Sequence, residues 1–282
     1  MPSPTGNAGR VLVVDDDRTT LLVNRSVLAM AGVTVGVAKD GAEAIARLRA
    51  RRYDLMLLDV WMPGMGGLDL LERLKQDEHR PKIVVLTSDD TPGTLLKAIQ
   101  QQAHRLVHKP VEPLALVALV REILRAAPEQ PIEVLSARPE WVELSVPCTR
   151  EAAERLQMVI AQLDADLPED VRESVAYAFR ELLLNAVEWG GRLDPTRTVR
   201  ISYIRGRRMV LYRIADPGSG FKLEDLDHAA ISHPDDPIEH MKVRDKKGMR
   251  PGGFGILMVQ AKVDDLIYNE KRNEVVFVKY LD

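Results

Sequence analysis

Acidic side chains directly follow two short apolar segments in the first half of this 282-residue chain. Residues 55–58 form an unbroken apolar run, typical of a strand that is buried on both faces of a parallel sheet, and Asp59 follows them. Residues 11–14 lead in the same way into Asp15 and Asp16. In open α/β sheets, ligands bind at the carboxyl ends of the strands. Asp59 is therefore a candidate reactive group, although an isolated Asp would more often cap a helix or face solvent.

Two further polar residues follow later predicted strands, because Thr87 follows residues 82–86 and Lys109 follows residues 105–108. Strand and helix patterns alternate from residue 9 to residue 126, which predicts an α/β doubly wound five-stranded parallel sheet. The ends of its strands converge on one edge. Clustered carboxylates repel one another unless a cation lies among them, and oxygen ligands suit Mg²⁺. A lysine and a hydroxyl beside them would bind phosphate oxygens, so this edge predicts an aspartyl-phosphate site with Asp59 as the nucleophile.

The segments VLVVDDD, LLDVWMPGMGG, VVLTS and VHKP resemble the response-regulator receiver domain of two-component signalling, over residues 9–126. The resemblance implies that Asp59 accepts a phosphoryl group from a cognate histidine kinase, and that Asp15 and Asp16 join Asp59 in binding Mg²⁺. It further implies that Thr87 is the switch hydroxyl and that Lys109 contacts the phosphate.

Two neighbouring positions refine this comparison. Leu106 stands where the family usually has an aromatic residue, so the familiar rotation of a ring toward the threonine is not expected here. Asp17, which follows the acid pair, is expected to cap a helix rather than to bind the metal ion.

Prolines at 128, 131 and 139 mark a linker over residues 127–139, and a second domain is predicted over residues 140–282. Its pattern predicts a strand at 141–146, helices at 149–163 and 169–189, two strands around 205–207, a helix at 256–262 and a closing hairpin. Helices on one face of a mixed or antiparallel sheet form an α+β sandwich.

Three features of this second half are suited to binding a nucleotide. Glu181 and Asn185 are four residues apart and share one face of a predicted helix. Asp216 begins a glycine-rich turn, where it could accept a hydrogen bond from an exocyclic amine. Residues 252–255, GGFG, open a helix whose free N–H groups could bind phosphate. Each feature alone is more often an ordinary polar face or turn, but all three occur here in order.

This half resembles the ATP-binding fold shared by gyrase, the chaperone Hsp90, histidine kinases and MutL. The segments ELLLNAVEWG and VDDLIYNEKRNEVVFVKYL are most similar to the anti-sigma-factor serine kinase branch, although Trp189 replaces a histidine that this branch often has. The resemblance implies ATP and Mg²⁺ as cofactors and residues 221–249 as a lid over the ATP. The site residues that it implies are Glu181 as general base, Asn185 on Mg²⁺, Asp216 on adenine, Gly218 and Gly220 in the adenine-side loop, and Gly253 and Gly255 under the phosphates.

Composition limits the function further. The net charge of −3 and the lack of a basic recognition helix argue against direct DNA binding. No apolar run approaches the ~20 residues that span a membrane, and the first ten residues lack a signal-peptide core, so we expect a cytoplasmic protein with no membrane partner. The linker is too short for the two-helix segment that carries the phosphoacceptor histidine of a histidine kinase.

We therefore expect a response regulator whose output domain phosphorylates Ser or Thr of an anti-anti-sigma-like protein. The alternative is a nucleotide-dependent binding module that sequesters a sigma factor or another protein without catalysis. The last helix of the first half carries an apolar stripe (Leu116, Leu119, Val120, Ile123) that could exceed the need of one sheet face. This stripe suggests a contact with the second domain or a homodimer.

Overall fold

The computed structural model describes residues 9–75, 77, 79–89, 91–125, 131–138, 140–221 and 254–281. The chain divides into two compact units, Met1–Glu129 and Gln130–Asp282. Within the described residues, no helix combines the length and the apolar character that crossing a membrane requires.

The first unit is a five-stranded parallel sheet of order β2-β1-β3-β4-β5, which confirms the predicted doubly wound fold. Its strands are β1 (Arg10–Val14), β2 (Thr34–Ala38), β3 (Leu55–Asp59), β4 (Lys82–Thr87) and β5 (Arg105–His108). Its helices are α1 (Arg18–Met30), α2 (Gly41–Ala50), α3 (Gly67–Leu74), α4 (Pro92–Gln100) and α5 (Pro113–Arg125).

The apolar core of this unit lies on both faces of the sheet, and every residue of the central strand β3 is buried. The apolar stripe of α5 belongs to this core. Leu116, Val120 and Ile123 are buried, and Leu119 packs against the same cluster. The prediction that the stripe exceeds the need of the sheet is therefore wrong, because the sheet covers it. Asp17 caps α1 by accepting hydrogen bonds from the first turn, as expected.

The second unit is a six-stranded antiparallel sheet of order β10-β11-β9-β8-β7-β6, which together with its helices confirms the α+β sandwich. Its strands are β6 (Glu133–Arg138), β7 (Trp141–Pro147), β8 (Thr198–Arg205), β9 (Met209–Ala215), β10 (Asp265–Tyr268) and β11 (Glu274–Tyr280). Its helices are α6 (Arg150–Leu163), α7 (Glu169–Asn185) and α8 (Gly255–Lys262).

Two elements of this unit differ from the sequence prediction. Strand β6 lies inside the segment that was predicted as a linker, and it pairs with β7 along its length. Helix α7 ends at Asn185, and a π-helical turn, Ala186–Gly190, replaces its predicted last residues. The turn is closed by a 2.7 Å hydrogen bond from the Gly191 N–H to the Ala186 carbonyl.

A buried carboxyl group lies in the core of the second unit. Asp164 is 2% exposed and accepts hydrogen bonds from the hydroxyls of Tyr203 and Tyr212. Phe179 and Phe277 pack against the Tyr212 ring and complete an apolar wall around it. Burial raises the pKa of Asp164 to about 6, although the two hydroxyls oppose that shift.

Candidate functional site

Strand register brings the acidic residues of the first unit to one edge of the sheet. Val14 of β1 pairs with Leu58 of β3, so Asp15, which follows β1, and Asp59, which ends β3, come to the same edge. Asp59 itself pairs with Leu86, the residue before Thr87. This is the convergence that the sequence pattern predicts, and it needs no contact beyond a regular parallel sheet.

A lysine joins two of these acids directly. The Lys109 Nζ lies 2.8 Å from Asp15 Oδ2 and 2.9 Å from Asp59 Oδ2. The backbone N–H of Lys109 also donates a 2.8 Å hydrogen bond to the Thr87 carbonyl, which connects the end of β5 to the end of β4. The Thr87 hydroxyl is buried and accepts a hydrogen bond from the Asp89 N–H at 3.0 Å.

The carboxylates of this edge lie close enough together to share a divalent cation. Asp15, Asp16 and Asp59 each offer an oxygen, and these oxygens lie within 4.8 Å of one another. Asp15 and Asp59 are buried, whereas Asp16 is exposed, so the cluster is open to water on one side. A set of oxygen donors with access to water fits Mg²⁺, which keeps several of its waters when bound.

The charges of this cluster are strongly coupled. Burial raises the pKa of Asp59, and the nearby Lys109 ammonium opposes that rise. Burial disfavours the charged form of Lys109, but its hydrogen bonds to Asp15 and Asp59 outweigh this effect and raise the pKa of Lys109. The ammonium therefore stays charged at neutral pH and neutralises part of the acidic cluster.

The second unit contains a cavity of about 1050 Å³. Six residues that the sequence analysis selected line it: Glu181, Asn185, Asp216, Gly218, Gly220 and Gly255. The predicted phosphate-side Gly253 and, apart from Phe221, the predicted lid lie outside the described residues. The cavity is large enough for a nucleotide, since pockets of ~300–1,000 Å³ hold most small-molecule ligands.

Asp216, which lines the cavity, is held in a narrow turn. Asp216 Oδ1 accepts a 2.7 Å hydrogen bond from the Gly218 N–H. Gly190 of the π-helical turn comes so close that a Cβ there would overlap the Asp216 carboxyl. Burial raises the pKa of Asp216, and the Gly218 N–H opposes this shift. The arrangement leaves Oδ2 with no donor among the described residues, so it can accept a hydrogen bond from a ligand.

At another part of the cavity, a carboxylate adjoins a helix N-terminus. Gly255 is the first residue of α8, and a Cβ there would lie 2.7 Å from Glu181 Oε2. Glu181 and Asn185 are one turn apart on α7 and both line the cavity. The free N–H groups of a helix N-terminus favour negative charge, as a phosphate carries.

Other residues border the cavity that the sequence analysis did not assign to the nucleotide site. Trp189 lines it with an indole that is 65% exposed. Arg197 donates to the Pro217 carbonyl, and Asn273 bonds the turn that carries Asp216. The sequence comparison had shown only that Trp189 replaces a histidine of the related family. Arg197 and Asn273 could not be predicted as site residues, because strand pairing brings them to the cavity.

The first unit thus carries an acidic cluster beside a lysine at the edge of a parallel sheet, and the second carries a cavity of nucleotide size. Comparisons with known families agree. The response regulator receiver domain matches residues 11–121, and the histidine kinase-like ATPase domain matches residues 146–279.

Curated relatives and solved structures extend this comparison. The DNA-binding response regulator MtrA of Mycolicibacterium smegmatis is 34% identical over 203 residues, which are 71% of this chain and 87% of that protein. The transcriptional activator protein IrlR of Burkholderia pseudomallei is 34% identical over 146 residues, 52% of this chain and 62% of that protein. A response regulator from Thermotoga maritima is 28% identical, with a TM-score of 0.39 over 42% of this chain and 99% of that one. The chain belongs to the response regulators, and it carries an ATP-binding domain after its receiver domain.

Proposed function

We propose that the second domain is a protein kinase that transfers the γ-phosphoryl group of ATP to a Ser or Thr of a regulatory partner protein, of the anti-anti-sigma type. The observation that carries this proposal is the Glu181 carboxylate beside Gly255, the first residue of α8, in the lining of a nucleotide-sized cavity. A carboxylate at a helix N-terminus stabilises the helix, and next to bound phosphates it is also placed to take a proton. A base for an attacking hydroxyl belongs there.

Each residue of this site has a role in the proposal. Asp216 accepts a hydrogen bond from the adenine amine, and Gly218 and Gly220 let the base approach the backbone. The N-terminus of α8, beginning at Gly255, binds the phosphates. Asn185 would hold Mg²⁺ through its amide oxygen, and a bound Mg²⁺ would neutralise charge on the phosphates.

The transfer step needs only the groups just named. The serine hydroxyl oxygen bonds to the γ-phosphorus, the bond from that phosphorus to the β–γ bridging oxygen breaks, and ADP leaves with its electron pair. The hydroxyl proton passes to the Glu181 carboxylate. Replacing Glu181 by Gln keeps the shape and removes the base, so transfer should fall by ~10²–10⁴-fold while ATP still binds.

In the receiver domain, the proposal makes Asp59 the phosphoacceptor for a cognate histidine kinase. The Asp59 carboxylate bonds to the phosphorus as the histidine nitrogen leaves, which gives an aspartyl phosphate. Lys109 and Thr87 would contact the new phosphate oxygens, and Asp15, Asp16 and Asp59 would hold Mg²⁺. Phosphorylation of Asp59 then regulates the kinase domain.

A binding module that sequesters a sigma factor is the second candidate function. It is favoured by Trp189, which takes the place of a histidine and presents an exposed ring at the cavity. DNA binding, which the name of MtrA states for that protein, is a third possibility. It is disfavoured because residues 146–279 match an ATPase domain and the chain as a whole is acidic.

The deciding experiment incubates the full chain with γ-labelled ATP, Mg²⁺ and the partner recovered by pull-down. We expect label on a Ser or Thr of the partner with the wild-type protein and almost none with Glu181→Gln. A partner that binds but takes no label from the wild-type protein would overturn the kinase proposal and favour the binding module.

A further inference from the structure

The turn between β10 and β11, residues 269–273, is bonded to the turn that carries Asp216, residues 216–220. The Asp216 N–H donates to the Asn273 carbonyl at 2.8 Å. In the opposite direction, Asn273 Nδ2 lies 3.2 Å from the Gly218 carbonyl and 3.4 Å from the Asp216 carbonyl. One side chain thus contacts both peptide units that flank the hydrogen bond between Asp216 Oδ1 and the Gly218 N–H.

Packing joins the same two turns. Gly220 has a φ of +79°, and a Cβ there would overlap the Lys271 carbonyl, so the backbones are in direct contact. The Arg272 guanidinium lies 5.9 Å from the centre of the Phe221 ring, just after the glycine turn. Phe221 also contacts Tyr268 edge-to-face at 5.8 Å. The closing hairpin therefore borders the Asp216 turn along its whole length.

The orientation of the Asn273 amide is set by a second asparagine. Asn269 Nδ2 donates to Asn273 Oδ1 at 2.9 Å, and Asn269 Oδ1 accepts from the Asn273 N–H at 3.1 Å. Because its oxygen is bound to Asn269, the Asn273 amide presents its NH₂ group to the Asp216 turn. Asp264 bonds the other end of the hairpin, where it accepts hydrogen bonds from Lys279 Nζ at 3.0 Å and from the Tyr280 N–H at 2.6 Å, so Asp264→Ala is a control for the stability of the hairpin that leaves the Asn269–Asn273 pair in place.

We propose that Asn273 is a positioning residue for base recognition, which fixes the Asp216 turn so that the free carboxylate oxygen meets the 6-amino group of an adenine nucleotide. This inference rests on the proposed function, because it assumes that Asp216 contacts the base. The Asn273 side chain does not touch the ligand in this account. Without its NH₂ group the two carbonyls lose their partner, and the turn adopts a range of positions in which the Asp216 contact is formed only part of the time.

Two nucleotides test this role in the full chain, measured by calorimetry. They are ATP and purine riboside 5′-triphosphate, which is ATP without the 6-amino group. The ratio of their dissociation constants reports the amine contact alone, since both carry the same phosphates. We expect wild-type protein to prefer ATP, Asp216→Ala to lose this preference, and Asn273→Ala to lower it by about tenfold, the value of one to two ordinary hydrogen bonds.

The controls separate positioning from stability. Asp264→Ala should lower the unfolding temperature without changing the preference by more than about twofold, whereas Asn269→Ala should lower the preference because it releases the Asn273 amide. Asn273→Asp keeps the size and the contact to Asn269 but replaces the donor by an oxygen, so it should lose the preference as Asn273→Ala does. It also serves as the test if Asn273→Ala fails to fold.

The outcomes distinguish the two proposals. If Asp216→Ala loses the preference and both Asn273 variants keep it, the positioning role of Asn273 is overturned while the adenine assignment stands. If Asp264→Ala lowers the preference as much as Asn273→Ala does, the effect belongs to the hairpin as a whole and the inference also fails. If Asp216→Ala keeps the preference, the adenine assignment itself is wrong.

Discussion

Replacing Lys109 by Met should destabilise the receiver domain, because it removes the positive charge between two buried carboxylates. The ammonium bonds Asp15 at 2.8 Å and Asp59 at 2.9 Å, and the two acids are 2% and 8% exposed. Removing one partner of a buried ion pair costs ~3–5 kcal/mol. The Lys109 side chain is 22% exposed and Asp16 opens the cluster to water, so we expect a smaller loss in the free energy of unfolding, ~2–3 kcal/mol.

Urea unfolding measures this loss if the signal comes from the receiver domain alone. Trp61 lies in that domain beside Asp59, so its fluorescence should be followed in a background where Trp141 and Trp189 are replaced by Phe. Adding Asp59→Asn to Lys109→Met should recover about half of the loss, because one of the two unpaired charges disappears. Added Mg²⁺ should raise the free energy of unfolding of the Lys109→Met protein, and it should raise that of the double variant by less.

Two results would refute this reasoning. A change below ~0.5 kcal/mol for Lys109→Met would mean that water already screens the acids, as at an exposed pair. A double variant that is no more stable than Lys109→Met would mean that the lysine acts through packing and not through charge.

Three further outcomes follow from the second domain. Asp164 binds its proton more tightly in the folded protein, where its pKa is about 6, than in the unfolded chain, where it is about 4. The domain should therefore lose ~3 kcal/mol of stability as the pH rises from about 4 through 6, and Asp164→Asn should abolish this slope in unfolding experiments between pH 4 and 7. Trp189 emission should change and saturate on titration with ATP when the other two tryptophans are Phe, and an unchanged spectrum would place the indole away from the nucleotide. Asn185→Ala should remove the Mg²⁺ dependence of ATP affinity by calorimetry, and an unchanged dependence would exclude Asn185 as a ligand.

The receiver half could be predicted from its sequence because short segments of the chain determine its strands and helices. The buried strands β1, β3 and β4 each contain an apolar run of four residues, and a regular parallel register places Asp15, Asp59, Thr87 and Lys109 at one edge without further detail. The α5 stripe was misjudged because its apolar pattern does not reveal how much of it the sheet covers.

The second half was harder to predict wherever contacts between residues far apart in the sequence determine the structure. Prolines suggested a linker, yet Val134 and Ala137 of β6 pair with Leu144 and Val142 of β7. The π-helical turn after α7 depends on contacts that no helical period shows, such as the fit of Gly190 against Asp216. Asn273 lies 57 residues from Asp216 and reaches it only through the pairing of β11 with β9.

The most direct test of a regulated kinase is the rate at which label passes from γ-labelled ATP to the partner, before and after the chain is treated with acetyl phosphate and Mg²⁺. Coupling free energies of about 1–3 kcal/mol are typical between linked sites, so phosphorylation of Asp59 should change this rate by ~5–150-fold. The same treatment of Asp59→Asn should leave the rate unchanged. Equal rates in treated and untreated wild-type protein, with Asp59 shown to be phosphorylated, would contradict the account.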